Sequence, residues 1–151
     1  MAMPEPAPSS GTFAGGSHFY ALRVFYEDTD AAGIVYYANY LKFIERGRNE
    51  MMRLLGFEHS AMRAAQAINW AVHRCTIEYR QVARLDDTLT VESRILDVRG
   101  ASLDIAQIVR RGQVVVADAV LELVCITAQG RPARLPPEVR KRLAPLAKPP
   151  L

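Results

Sequence analysis

Apolar and polar positions divide the chain into two halves with different periods. In the first half, Tyr37, Leu41, Ile44, Arg48, Met51 and Leu55 recur at intervals of three or four, and Tyr40, Gly47 and Leu54 widen that stripe. The spacing predicts an amphipathic helix of about eighteen residues, roughly 27 Å long, with Asn39 as its N-cap and Gly56 just past its end. Gly47 sits inside it, where it costs about 1 kcal/mol relative to Ala. Close approach of the helix to a sheet is a reason to keep it. Ahead of the helix, residues 19–26 are aromatic and β-branched and read as a strand.

The second half alternates with a period near two. Residues 71–81, 88–98, 101–110 and 113–127 read as strands, separated by Leu85-Asp86-Asp87, Arg99-Gly100 and Arg111-Gly112. The last two gaps are long enough only for hairpins, so these strands are antiparallel. In the last run Val115, Ala117, Ala119, Leu121 and Leu123 share one face; Val114, Val116, Asp118, Val120 and Glu122 share the other. Residues 136–143 read as a short helix opened by proline. The expected class is α+β: a long central helix wrapped by a curved antiparallel sheet of about five strands. Apolar outer positions and open edges predict pairing with a second copy, as a homodimer or homotetramer.

The chain has 151 residues, half of them hydrophobic, enough for one domain that buries roughly 70% of its unfolded surface. Residues 1–16, rich in Pro, Ala, Ser and Gly, are expected to be a flexible lead-in, residues 17–144 the folded domain, and residues 145–151 a flexible tail. No apolar run is long enough for a membrane-spanning helix. The N-terminus lacks the basic and apolar blocks of a secretory signal, so a cytoplasmic location without membrane insertion is expected. Nineteen Lys and Arg against sixteen Asp and Glu give a net charge of +3. No block of five like charges occurs, which argues against nucleic acid as a partner. Cys75 and Cys125, fifty positions apart, match no zinc or redox spacing and are expected to pack as small hydrophobes.

The densest chemistry lies between residues 26 and 40. Glu27, Asp28 and Asp30 precede Gly33, and that turn leads into the main helix. A helix N-terminus offers unpaired N–H groups that stabilise an oxyanion, and a carboxylate beside it serves as base or nucleophile. The plainer alternative is that both aspartates form Asx turns on a solvated loop, and the spacing does not choose between Asp28 and Asp30. Asp30 is favoured as the one nearer the glycine turn and the helix, with Asp28 capping or orienting the loop. His18, His59 and His73 form no metal-ligand spacing; a packed or hydrogen-bonded role is expected of His73 and an exposed position of His59. Neither a serine nucleophile elbow nor a glycine-rich phosphate loop is present.

Asp-Thr-Asp-Ala-Ala-Gly-Ile-Val-Tyr-Tyr-Ala-Asn-Tyr, from Asp28 to Tyr40, followed by Leu-Lys-Phe-Ile-Glu-Arg-Gly-Arg-Asn-Glu, resembles the signature of the 4-hydroxybenzoyl-CoA thioesterase family. Within that hotdog-fold family the likeness is nearest to the Tol-Pal-associated acyl-CoA thioesterases. It continues through Ile77-Glu78-Tyr79, residues 83–87 and 99–103, and ends at residues 131–136. The resemblance implies a thioesterase acting on an acyl-CoA or acyl-carrier-protein thioester, with Asp30 as catalytic carboxylate. It also implies that the backbone N–H of Tyr37 polarises the thioester carbonyl. Tol-Pal-type members commonly carry His at the position of Tyr37, so no imidazole acts there in this chain.

Gly33, Val35 and Asn39 are expected to line the substrate site. Arg84, Arg99, Arg131 and Arg134 are candidate contacts for the coenzyme A phosphates, against the plain alternative of solvated surface cations. No metal or redox cofactor is expected, coenzyme A being part of substrate and product. Two rival readings are a non-catalytic acyl-CoA or carrier-protein-binding partner of the same fold and a dehydratase. The second needs a His base that the turn-to-helix junction lacks.

Overall fold

The computed structural model describes residues 1–58, 61–62 and 68–148. Among these, strands β1 (Thr12–Ala14), β2 (Ser17–Arg23), β3 (Ile68–Tyr79), β4 (Thr88–Val98), β5 (Ser102–Arg111) and β6 (Val114–Thr127) form one sheet. Its order is β1-β2-β4-β5-β6-β3, and every neighbouring pair is antiparallel. Helix α1 (Asn39–Leu54) lies against one face of this sheet and α2 (Pro137–Leu143) closes one end. Six strands stand where about five were expected. The extra one is β1, within the segment expected to be a flexible lead-in. Gly15 and Gly16, both at positive φ, make the two-residue turn of a β1–β2 hairpin, and the Phe13 ring packs on His18 at 5.2 Å.

The tail differs from expectation as well. Ala144–Leu146 forms a 3-10 turn, and the Lys148 N–H donates to Ile95 O at 3.0 Å. Strand β2 is shorter than its pattern, because Asp28 Oδ2 accepts from Phe25 N at 2.8 Å and winds Tyr26–Asp28 into a 3-10 turn.

The core forms where α1 meets one face of the sheet. Tyr40, Phe43, Ile44, Met51 and Met52 are buried against Leu89, Val91, Ile95, Leu103, Ile105, Val109, Leu121 and Leu123. Alternation along β4 and β5 sends these residues inward. On β6 the alternation slips by one. A bulge opposite Val109 and Arg110 makes Val116 and Ala117 both buried, while Val115 joins the outer side. The outer face stays open within this chain, with Val114 and Val120 nearly half exposed. Among the described residues no strand pairs with the outer edge of β3, and Cys75 on that strand is exposed, against expectation, while Cys125 is buried.

Gly47 marks where helix and sheet come closest. A Cβ added there would stand 2.7 Å from Val91 Cγ1 and 3.0 Å from Val91 Cβ. Those atoms belong to a stiff β-branched side chain in the middle of β4. Gly47→Ala gains about 1 kcal/mol of helix propensity but overpacks the seam, which costs about 1–3 kcal/mol. The expected result is a protein that unfolds at lower urea than the parent. In a Val91→Ala background the Cγ1 clash is gone and only the 3.0 Å approach to Cβ remains, so the same change is expected to cost less than in the parent, and a double-mutant cycle reads coupling between the two positions.

Candidate active site

The loop from Asp28 to Tyr36 is a miniature hairpin that delivers the chain to the first turn of α1. Thr29 and Val35 bridge, the Asp30 N–H donates to Ile34 O at 2.9 Å, and the Gly33 N–H donates to Asp30 O at 3.0 Å. Gly33 has φ of +78°, the left-handed conformation that closes such a turn without a Cβ penalty. The Ala32 N–H donates to Asp30 Oδ1 at 2.8 Å, an Asx turn. The Asp30 side chain thus shapes its own loop through one oxygen, and Oδ2 has no donor among the described residues. Asp30 is exposed and lines a cleft of about 460 Å³ with Tyr26, Thr29, Ala31, Gly33 and Leu85.

Asp28 has the opposite surroundings. It is 8% exposed, and its carboxylate caps the preceding turn through Phe25 N. Its carbonyl accepts from the Tyr36 N–H and from Asn39 Nδ2, each at 2.9 Å. This carbonyl therefore ties the start of α1 to the Asp30 loop. Asn39 is the first residue of α1 and not its N-cap, which is Ala38. An acceptor eleven residues back, outside any local capping pattern, takes its side chain inward.

Tyr37 stands one residue ahead of the Ala38 N-cap, inside the turn that the Asn39 N–H closes on Tyr36 O at 2.8 Å, and its own N–H has no acceptor among the described residues. Its side chain is 61% exposed and packs edge-on against Tyr36 at 5.0 Å and Tyr79 at 6.0 Å. Tyr79, from the end of β3, also contacts Tyr40 at 5.6 Å. Burial pushes the Tyr40 and Tyr79 phenols up, so both stay protonated near neutral pH. Strand alternation singled out none of Tyr26, Tyr79 or Leu85. Tyr26 stands in the chemical cluster of residues 26–40, and Tyr79 and Leu85 fall in segments of the family resemblance, but only the fold brings the three to this region.

Of the other expected site residues, Gly33 is in the cleft and Val35 is not. Val35 is 3% exposed, in the core, and its N–H donates to Ala83 O at 2.8 Å. It anchors the loop and has no open surface for a ligand. Arg84 is exposed and bridges to Ile34, which brings it beside the loop.

Arg99 stands at the far end of β4, ten strand residues or roughly 33 Å away, and is held by carboxylates. It donates to Asp97 at 2.9 Å, to both oxygens of Asp104 at 2.8 Å, to Glu122 at 3.1 Å and to Ser102 Oγ at 3.0 Å. The hydrogen bonds it donates to Asp104 push Arg99 up, and Arg99 in turn pulls the Asp104 carboxyl down. The phosphate role expected of Arg99 does not fit a guanidinium with these acceptors. Arg131 and Arg134 are at that same end, beside Thr127 and Gly100.

His18 is buried under the N-terminal hairpin and bonded to Ser10 O at 2.7 Å; His73 pairs with Glu122 on the outer face. His59 lies outside the described residues. Among those described, no three His, Cys, Asp or Glu side chains group to hold a metal ion, and no helix is long and apolar enough to cross a membrane.

Residues 24–143 match the thioesterase-like superfamily. An acyl-CoA thioesterase, YbgC, of Haemophilus influenzae is 36% identical over 122 residues, 80% of this chain and 90% of that protein. The acyl-CoA thioester hydrolase YbgC of Escherichia coli O6:H1 is 39% identical over 120 residues, 78% of this chain and 89% of that protein. The crystal structure of a probable thioesterase from Bartonella henselae superposes with a TM-score of 0.78 at 33% identity, covering 80% of this chain and 99% of the other. With the match spanning the Asp30 loop, both helices and strands β3 to β6, the chain belongs to the thioesterase-like superfamily and is a thioester hydrolase.

Proposed function

We propose that this chain hydrolyses acyl-CoA thioesters, with Asp30 as the reacting carboxylate and the Tyr37 N–H as the donor to the thioester oxygen. One observation carries the reading. A single loop holds an exposed carboxylate in a cleft and an N–H without an acceptor just ahead of the α1 N-cap, and the Asp28 carbonyl braces the two together. Negative charge develops on the carbonyl oxygen as the tetrahedral intermediate forms, and an N–H at a helix start is placed to receive it.

Asp30 Oδ2 either takes the proton from an attacking water or attacks the carbonyl itself, giving a mixed anhydride that water then opens. In both routes the C–S bond breaks, the thiolate leaves and is protonated, and the products are a carboxylic acid and a free thiol. Arg84, exposed beside the loop, offers its guanidinium to a phosphate of coenzyme A. The relatives named as acyl-CoA thioesterases support coenzyme A as the thiol.

Asp30→Asn keeps the shape and the Asx turn but removes the charge. The rate of thiol release from acyl-CoA is expected to fall about 100-fold or more, with a much smaller change in KM. Asp28→Asn alters a buried cap, so its first effect is expected in the thermal melt. Near-parental turnover by Asp30→Asn, with collapse in a folded Asp28→Asn protein, would transfer the role to Asp28. Tight acyl-CoA binding without turnover by the parent protein would support a binding partner of the same fold.

Tyr37→Phe leaves the N–H in place and is expected to keep most of the rate. Tyr37→Pro removes the donor one residue ahead of the Ala38 N-cap, where no hydrogen bond of α1 is lost. Loss of one oxyanion donor costs about 100- to 1000-fold, once circular dichroism shows that the helix persists. A folded Tyr37→Pro enzyme with normal turnover eliminates the backbone donor.

The working unit in this reading is an assembly of identical chains. Strand β3 leaves one edge unpaired, and Val72 and Tyr79 on it are 47% and 44% exposed. An edge of that length calls for cover. Light scattering is expected to report at least a dimer, with dilution to monomer lowering activity. A stable, fully active monomer would refute a site shared between chains.

A further inference from the structure

The reaction described above uses the turn that leads into α1 and leaves Arg48, eleven residues beyond Tyr37, without a part. Arg48 is only 8% exposed. Its Nη1 donates to Gln107 Oε1 at 2.9 Å, and Gln107, wholly buried, is fixed by Ile44 O at 2.7 Å and Ser93 Oγ at 2.8 Å. Nε and Nη2 have no acceptor among the described residues, and no described carboxylate forms an ion pair with this guanidinium. The charged and titratable groups that act on it are Glu45, one turn back on α1 and exposed, and the Cys75 thiol of β3. Strands β4 and β5 present only the neutral Ser93 and Gln107. Burial of a cation against a single neutral acceptor is unfavourable and leaves strong donors for an anion.

The surroundings give that anion a direction. Tyr79 and Cys75 share a face of β3. Tyr79 touches Tyr37 and Tyr40, while Cys75 lies in electrostatic range of Arg48. Helix and strand therefore run antiparallel along one seam, with the Tyr37 donor at one end and Arg48 at the other. The span is eleven helical rises, about 16 Å, or four strand rises, about 13 Å, and the Arg48 stem leans back toward Tyr37. With the thioester oxygen at the Tyr37 N–H, the cleft that Asp30 lines, with Arg84 beside its loop, receives the thiol half. The acyl half then continues down the seam.

We infer that Arg48 determines specificity, and that the preferred substrate is a thioester whose acyl chain ends in a carboxylate, received by Nε and Nη2 side by side. This deepens the hydrolytic reading of the site and rests on it. The edge formed by Nε and Nη2 matches a carboxylate in two parallel bonds. A chain with a methyl end leaves the same donors without an acceptor, and that difference discriminates between the two acyl classes.

The test is a chain-matched panel: adipoyl-, suberoyl- and sebacoyl-CoA against hexanoyl-, octanoyl- and decanoyl-CoA, with kcat/KM for each. At least one carboxylate-ended member is expected to exceed its plain counterpart by about ten- to a hundredfold. Arg48→Met is expected to abolish that ratio. Should Arg48→Met fail to fold, Cys75→Asp supplies an internal carboxylate from an exposed strand position and is likewise expected to abolish it. Turnover of both series with equal kcat/KM overturns this inference alone. No turnover of any member overturns the hydrolytic reading and this one with it. A ratio unchanged in a folded Arg48→Met or Cys75→Asp protein overturns the assignment to Arg48, and a drop in oligomeric mass beside that unchanged ratio makes Arg48 an interface residue.

Discussion

The contact of Gly47 with Val91 fixes where everything else can lie. A helix without a side chain at its midpoint settles directly onto β4, closer than any Cβ would allow. That seating lets Phe43, Ile44 and Met51 fill the trough of the sheet, and it sets the point at which the first turn of α1 emerges. The Asp28 carbonyl, holding Tyr36 N and Asn39 Nδ2, then locks that turn to the preceding loop. A rigid helix seated at its middle and tied at its start has little freedom to move its N–H groups. Such groups stabilise developing charge without reorganising at the moment of reaction.

Asp28 and Asp30 show how environment divides the work of two identical side chains. Two residues apart, they would share a face in an extended segment. The 3-10 turn at Tyr26–Asp28 breaks that register and turns Asp28 inward onto Phe25 N. The type of loop that follows then places Asp30 at its exposed corner, with one oxygen on Ala32 N. One carboxylate is consumed by a backbone donor, Phe25 N, and the other, lining the cleft, keeps an oxygen with no donor among the described residues. The Asx turn that the sequence offered as the plain alternative to catalysis is present, and it aims the remaining oxygen.

The legible parts of the fold were those governed by a single local rule. Strands β4, β5 and β6 are separated by turns too short for anything but hairpins, and α1 repeats its apolar stripe over four turns, so both were readable within a residue or two. Gly47 was readable as a close approach because a mid-helix glycine has a cost that something must offset. Features that depend on distant partners were not. Strand β1 exists because β2 accepts it, and a segment rich in Pro and Gly hides a two-residue turn. Asn39 looked like a cap because nothing local shows the Asp28 carbonyl beneath it. The bulge on β6 shifts Val115 and Val116 by one position, which alternation alone cannot register.

The arginines carry the same lesson into function. Sixteen of the nineteen basic residues are Arg, a composition open to phosphate binding. The structure uses much of that supply as clamps on its own loops. Arg111 bonds Val82 O and Asp87, Arg140 bonds the carbonyls of Arg99 and Gly100, Arg142 bonds Leu55 O, and Arg99 gathers three carboxylates across β4, β5 and β6. A planar group with five donors suits such turns, where several acceptors converge and a lysine would reach one. What separates an anion-binding arginine from a clamp is therefore neither residue type nor net charge but the acceptors already within reach. By that criterion Arg99 is structural, whereas Arg84, exposed beside the Asp30 loop with its backbone engaged, has no side-chain acceptor among the described residues.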